Sequence, residues 1–322
     1  MAHVPTIVTI GKATQDVFLK STNVFEQLEH KGVKYEQLPV GQKLDLDDVV
    51  FATGGNVTNA AVTFARQGLH SRYAWCLGLD VASESILQEL DHEDVDTRHV
   101  YQGDQYRASY STILMLSGGE RTILNFRGKM PDAKSSHLDL SVIDGADWLY
   151  LSSLGDIDLL ERIISRAAKQ NAKVMLNPAA SELDHPDKLK ALLEDVEVLI
   201  VNKEEAQQIV EGSSLEELAR HGNHYCPVVI VSDGPNGAVA TDGKTVVTAG
   251  MYENVPVTDR TGGGDAFGSG FLSYFAQGKS LKESLIFASA NSTSVVQYIG
   301  AKKGILQKGV KLHDMPIEEK DF

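Results

Sequence analysis

Cysteine is scarce: Cys76 and Cys226 are the only two in 322 residues, with no CxxC spacing. That excludes a disulfide framework and a cysteine-built metal site, and leaves both thiols as small core residues. No run approaches the ~20 apolar residues that a membrane span needs. The opening "MAHVPTIVTIG" lacks the basic stretch, apolar block and cleavage site of a secretory signal. Positive charge is also short, with 30 Lys+Arg against 44 Asp+Glu and a formal net charge of −14. Such a field repels phosphate backbones and anionic lipid over a Debye length of ~10 Å, so neither nucleic acid nor membrane is an expected partner. A reducing cytoplasm is the expected setting. What is present, 42% apolar and 23% charged residues, suits a globular α/β domain with a minor insertion.

Short β-branched runs alternate with amphipathic stretches. Strands are expected at 6–10, 73–77, 147–151, 173–177, 196–201 and 227–232, and helices at 57–67, 157–170, 203–211 and 214–221. Several strands are continuously apolar, as in a parallel sheet covered by helices on both faces. Ser214/Glu217 and Ser280/Glu283 have capping-box spacing and mark two helix starts. Residues 16–53 and 98–130 interrupt the alternation. In the second, strand-like runs flank "SGGE" (117–120) and suggest a hairpin. The expected division is a core of 1–15, 54–97 and 131–322, with 16–53 and 98–130 forming a small β layer, a lid or a dimer surface.

"RTGGGDAFGSGFL" (260–272) places three glycines and an aspartate at the mouth of a helix whose Phe267, Phe271, Tyr274 and Phe275 have the spacing of a buried face. Glycines at a helix N-terminus let backbone amides converge on an anion. The spacing fits neither usual nucleotide loop: Phe267 stands where GxGxxG needs glycine, and Ser269 where GxxxxGK[ST] needs lysine. Asp265 would repel a passively held phosphate. It makes sense as a base for a hydroxyl attacking phosphorus, beside amides that stabilise the transferring group. An aspartate at a helix start also balances the helix dipole, and the isolated tetrapeptide fits both readings.

Together, "DRTGGGDAFGSGF" (259–271) and "GGNVTNAAVTFARQG" (54–68) resemble the C-terminal and N-terminal signatures of the ribokinase-like (PfkB) carbohydrate and nucleoside kinases. "GKATQD" (11–16), "LNPAA" (176–180), "NKEEA" (202–206) and "VSDGPNGAV" (231–239) extend the resemblance over nearly the whole chain. It implies a three-layer α/β/α core with a mostly parallel sheet and a small β lid. The implied reaction is transfer of the γ-phosphate of ATP to a hydroxymethyl group. By the same resemblance Asp265 is the base, the amides of Gly262, Gly263 and Gly264 are the anion hole, and Asp16, Gly54, Gly55, Asn56 and Asn59 hold the substrate. Asn177, Asn202, Ser232, Gly234 and Asn291 fall on the ATP side, Asn291 against adenine. Glu205 serves Mg²⁺ through water, and Asp259, with the loop around Gly300, a monovalent cation such as K⁺. A homodimer through the lid is expected.

Ribokinases proper carry an Asn two residues before the substrate aspartate, a Lys third in the GG motif and a Glu ending a mid-chain strand. Here Thr14, Asn56 and Ser153 stand there, which weakens ribose itself as the substrate. Arg121 and Arg127, on the expected hairpin, are more often solvated edge charges, but an inward-reaching one would suit a sugar acid or a phosphorylated sugar. A nucleoside kinase is the alternative. A non-catalytic sensor on the same fold needs no base, and an NAD-dependent oxidoreductase is disfavoured by glycines so late in the chain.

Overall fold

The computed structural model describes residues 3–116, 121–135, 137–252 and 255–322. In chain order its first strands are β1 Thr6–Ile10, β2 Thr14–Lys20, β3 Glu26–His30, β4 Val33–Gln37, β5 Asp48–Gly54, β6 His70–Ala74, β7 Cys76–Leu77, β8 Tyr101–Gln102, β9 Ser109–Met115 and β10 Arg121–Phe126. Then come β11 Trp148–Ser152, β12 Lys173–Asn177, β13 Val198–Asn202, β14 Val228–Ser232, β15 Ala238–Thr241, β16 Thr245–Ala249 and β17 Ile317–Asp321. The helices are α1 Asn56–Arg66, α2 Val81–His92, α3 Ile157–Lys169, α4 Ala180–Leu183, α5 Pro186–Leu192, α6 Lys203–Ile209, α7 Leu215–Gly222, α8 Gly263–Phe275 and α9 Leu281–Val295.

A nine-stranded sheet runs β17-β16-β15-β14-β13-β12-β11-β1-β6. From β14 to β6 every pairing is parallel, and β15 to β17 add antiparallel strands at one edge. Strands β1 and β11 are buried along their whole length, as strands under two helix layers must be. Helices α1, α8 and α9 pack together in one layer and α3, α5, α6 and α7 in the other. Ser214 and Ser280 cap α7 and α9 with Glu217 and Glu283 as their reciprocal partners. Both cysteines are buried and free. Among the described residues, no helix is long and apolar enough to cross a membrane.

The run at 73–77 is not one strand. β6 begins three residues earlier, at His70, and beyond the buried Trp75 the chain leaves the main sheet so that β7 pairs with β8. A periodicity argument merges the two because both halves are apolar. The β15–β16 hairpin carried a signal that the reading above did not use: Asp242-Gly243 between alternating apolar segments, with Gly243 at φ 75°.

A second sheet has the order β10-β9-β2-β5. Parallel β2 and β9 form its centre, flanked by antiparallel β5 and β10. The expected turn at 117–120 lies outside the described residues, but the strands on either side of it pair antiparallel from Arg121↔Met115 to Phe126↔Tyr110. β3 and β4 make a separate hairpin within the first insertion. β2 starts at Thr14, so the small sheet draws residues from both sides of the expected boundary at 15/16.

Strand order reverses at β1, with β6 on one side and β11 on the other. In open α/β sheets, ligands bind beyond the carboxyl ends of the strands at such a reversal. Here those ends deliver Lys12 and Thr14 after β1, and Ser152 and Ser153 at the end of β11.

Candidate active site

A cavity of about 330 Å³ opens at that place, lined among others by Asp16, Asn56, Asn59, Gly262 and Asp265. Asp16 comes from β2, directly opposite Ser111 of β9. A Cβ on Gly54 would sit 2.3 Å from Asp16 Oδ2, so only glycine lets the carboxylate occupy its place. Gly55 then caps α1. One turn on, Asn59 Nδ2 donates to Asp265 Oδ2 at 2.8 Å, while Asn59 Oδ1 is buried with no partner among the described residues. This contact, between residues 206 positions apart, joins the two glycine motifs.

Gly262 is the N-cap of α8 at φ 77°, and a Cβ there would also lie 2.3 Å from the Cβ of Ala301. Handedness and space both require glycine at this position. The N–H of Gly263 makes a long 3.3 Å bond to the Arg260 carbonyl, whereas those of Gly262, Gly264 and Asp265 have no acceptor among the described residues. Free N–H groups at a helix start are what an anion needs.

Burial raises the Asp265 carboxyl above its ordinary range, against the opposing influence of the Asn59 hydrogen bond and the Lys302 charge. Asp16 is likewise raised, first by burial and then by Asp259 and Asp265, while its Ser111 hydrogen bond and Lys302 pull it down. Lys302 is the common counter-charge. Its buried ammonium donates to Thr53 O at 2.8 Å, Thr53 Oγ1 at 3.0 Å and Thr58 Oγ1 at 3.2 Å. Burial pulls it down to about 8, opposed by the charges of Glu89, Asp16, Asp265 and Glu93. Thr58 Oγ1 in turn donates to the carbonyls of Gly54 and Gly55, so Lys302 also anchors the first glycine turn.

A second cavity, of about 480 Å³, lies on the other side of the α8 start. Ser232 and Gly234 line it, with an apolar wall that includes Phe267, Val257 and Val296. Gly264 borders both cavities, and a Cβ there would meet nothing within 4 Å. Of the expected buried stripe on α8, Phe271 is fully buried, but Phe267 faces this cavity.

Several expected positions are placed differently. Asn291 does not line the second cavity. It is wholly buried, with Nδ2 donating to Ala266 O at 2.8 Å and Oδ1 accepting from Leu306 N at 2.9 Å. The α9 face that lines the cavity is Ser289, Ser292, Thr293 and Val296, which helical periodicity sets apart from 291. Asn177 lines neither cavity: its amide donates to Ile200 O and its oxygen accepts from Ser152. Asn202 and Glu205 form a capping box at the start of α6, Asn202 Oδ1 with Glu205 N and Glu205 Oε2 with Asn202 N, each at 2.9 Å. Glu205 Oε1 makes no hydrogen bond among the described residues, and burial raises this carboxyl.

Asp259 does not fit a cation site. Its buried Oδ1 accepts from Arg121 Nη1 at 2.7 Å, Thr261 N at 3.0 Å and Thr261 Oγ1 at 2.7 Å, and Oδ2 accepts from Gly300 N at 3.2 Å. A guanidinium already supplies the positive charge. Arg121 is therefore no solvated edge residue: it ties β10 to the loop that leads into the glycine turn. Asn56 has a fixed partner set too, its Nδ2 donating to Ser152 Oγ at 3.0 Å and Ser153 Oγ at 3.1 Å. Two of the positions that depart from ribokinases, 56 and 153, are thus in contact, a neutral amide bonded to a neutral hydroxyl. Lys12, Ser111 and Lys302 went unrecognised as site residues. A lysine carries no sequence mark of burial, and only the fold brings position 302 beneath position 53.

Comparison with known proteins agrees with this arrangement. The model of the pfkB family of carbohydrate kinases matches residues 7–308. The ribokinase of Haemophilus influenzae is 25% identical over 279 residues, covering 82% of this chain and 88% of that protein. A guanosine-inosine kinase of Exiguobacterium acetylicum is 27% identical over 270 residues, covering 79% and 86%. Among solved structures, Arabidopsis thaliana ribokinase complexed with ribose and ATP superposes with a TM-score of 0.76 at 20% identity, covering 95% of this chain and 96% of that one. At that identity the likeness is one of fold.

Proposed function

As the chain belongs to the pfkB family of carbohydrate kinases, phosphotransferases that act on hydroxyl groups, we propose that it transfers the γ-phosphoryl group of ATP to a hydroxymethyl group of a sugar. The observation that carries this reading is the position of Gly264, which borders the polar and the apolar cavity at once and is followed directly by Asp265. An acceptor in the first cavity and a nucleotide in the second would meet at the glycine turn.

Asp16 and Asn59 orient the acceptor hydroxyls. Asp265 takes the proton from the attacking hydroxymethyl oxygen, held by the Asn59 amide so that one carboxylate oxygen is already fixed. The unpartnered N–H groups at the start of α8 meet charge on the transferring group. In the second cavity, the apolar wall around Phe267 and Val257 takes the base, and the Ser232–Gly234 turn lies along the nucleotide. Mg²⁺ on the phosphates would offset their charge, and Glu205, through Oε1, would hold one of its waters. The small sheet acts as a lid over the acceptor side, excluding water from transfer.

The outer face of that sheet exposes Phe51, Leu124 and Phe126, and the outer edges of β5 and β10 pair with no further strand among the described residues. A second copy of this chain packed there forms the homodimer, a state that sedimentation equilibrium reads directly. ADP release in the presence of ribose, fructose, 2-keto-3-deoxygluconate or a nucleoside tests the activity. Asp265→Asn is expected to lower kcat roughly 10³-fold while ATP still binds. Turnover near that of the unaltered protein removes Asp265 as the base.

A further inference from the structure

One cation, Lys12, lines the acceptor cavity, and a second, Arg127, stands on the adjoining sheet face; neither has an ion-pair partner among the described residues. Lys12 lines the cavity and makes no hydrogen bond or ion pair among the described residues. Burial pushes its ammonium below the ordinary lysine range, and the like charge of Arg127 pushes it the same way, with Glu182 opposing. Glu182 is no direct partner: its two oxygens accept from Gly155 N at 2.9 Å and Ala179 N at 2.8 Å.

Sheet register brings Arg127 to this face. Asp16 stands opposite Ser111, and Ser111 opposite Asn125; residues in one cross-strand row share a face. Arg127 lies two residues beyond Asn125 and so returns to that face. Its carbonyl accepts from Ser109 Oγ at 2.8 Å, and Ser109 stands opposite Thr14 of the cavity wall. Arg121 belongs to the same alternation but is committed to Asp259, whereas Arg127 is exposed and has no such partner among the described residues.

A neutral polyol would leave the half-buried Lys12 ammonium bare beside the like charge of Arg127. An anion would form charge-assisted bonds with them and relieve their mutual repulsion. In a chain of net charge −14, a cationic pair at the mouth of one cavity runs against the overall field. Asn56, occupied with Ser152 and Ser153, adds no charge. Resting on the kinase reading above, we propose that the acceptor is an anionic sugar, with its carboxylate or phosphate held by Lys12 and Arg127 and its hydroxymethyl end at Asp265.

Calorimetric titration of gluconate against glucose, and of fructose 6-phosphate against fructose, with ADP release followed in parallel, tests this. At least one anionic ligand is expected to bind ten times more tightly than its neutral partner, and which pair shows the preference tells carboxylate from phosphate. Lys12→Met and the exposed Arg127→Met each weaken that ligand about tenfold, in KM rather than kcat, and Lys12→Arg restores most of the affinity. The proposal is overturned if neither anion binds more tightly than its neutral partner, or if both Met variants bind the anion as the unaltered protein does. An anionic preference without ADP release leaves the inference standing and removes the phosphotransfer reading. ADP release with neutral acceptors alone does the reverse.

Discussion

The two cavities that meet at Gly264 are built on different principles. The smaller is walled by titratable and amide side chains, Asp265 held by Asn59 and Asn56 by two serines, with Lys12 left without a partner among the described residues. The larger offers backbone turns and apolar surface, with Phe267 and Val296 among its walls. Selecting one hydroxyl among several demands placed donors and acceptors, because a misfit leaves a buried polar group unpaired. Holding a flat base with a phosphate tail asks mainly for shape and free N–H groups.

Breaking the partition should therefore cost most. Gly262→Ala forces a side chain into φ 77° and against Ala301. It is expected to destabilise the fold by about 2 kcal/mol or more and to lower kcat on the order of 100-fold through the displaced amides, read by denaturant midpoint and ADP release. A normal melt with normal kcat would show that the turn tolerates another geometry.

Lys302→Met probes the smaller cavity alone. Without that ammonium both Asp16 and Asp265 titrate at higher pH, so the acid limb of kcat/KM moves upward and the rate at neutral pH drops roughly 10-fold. The sign for stability is opposite in the alkaline range. The lysine is pulled from 10.5 to about 8 in the folded chain, so between those values the unfolded chain binds more protons. This group's contribution to stability then rises with pH while its charge, and the activity it supports, is lost. Paired pH profiles of melting and turnover, for the unaltered protein and Lys302→Met, separate the two. Parallel profiles would remove Lys302 from the site's electrostatics.

The smallest effect is expected on the other side. Phe267→Ala removes part of the apolar wall and should raise KM for ATP about tenfold with little change for the acceptor. An equal rise for both substrates would mean that the cavities are not independent.

Legibility in the sequence follows the same divide. Asp265 directly follows the three glycines, and each capping serine lies three positions from its glutamate, so local rules of helix starts and amide convergence sufficed. Strand alternation gave the parallel core because each buried strand declares itself by composition. Asn291 was expected against the nucleotide but lies buried away from both cavities, because a resemblance carries a position but not the helix face it occupies. The Asn56–Ser153 contact, the Lys302 anchor and the Arg121–Asp259 pair join residues 97, 249 and 138 positions apart. Only a finished topology makes them neighbours. The β6–β7 break was hidden because an apolar run looks the same whether or not it stays in one sheet.

The Arg121–Asp259 bridge has a further consequence. β10 cannot swing outward without exposing a guanidinium and stranding a buried carboxylate beside the glycine turn, so opening of the small sheet and disorder of the turn are one event. Positions 121 and 259 are then expected to covary across descendants of a common ancestor. A lineage that loses the arginine must also lose the acid, or recruit a soluble cation to take its place.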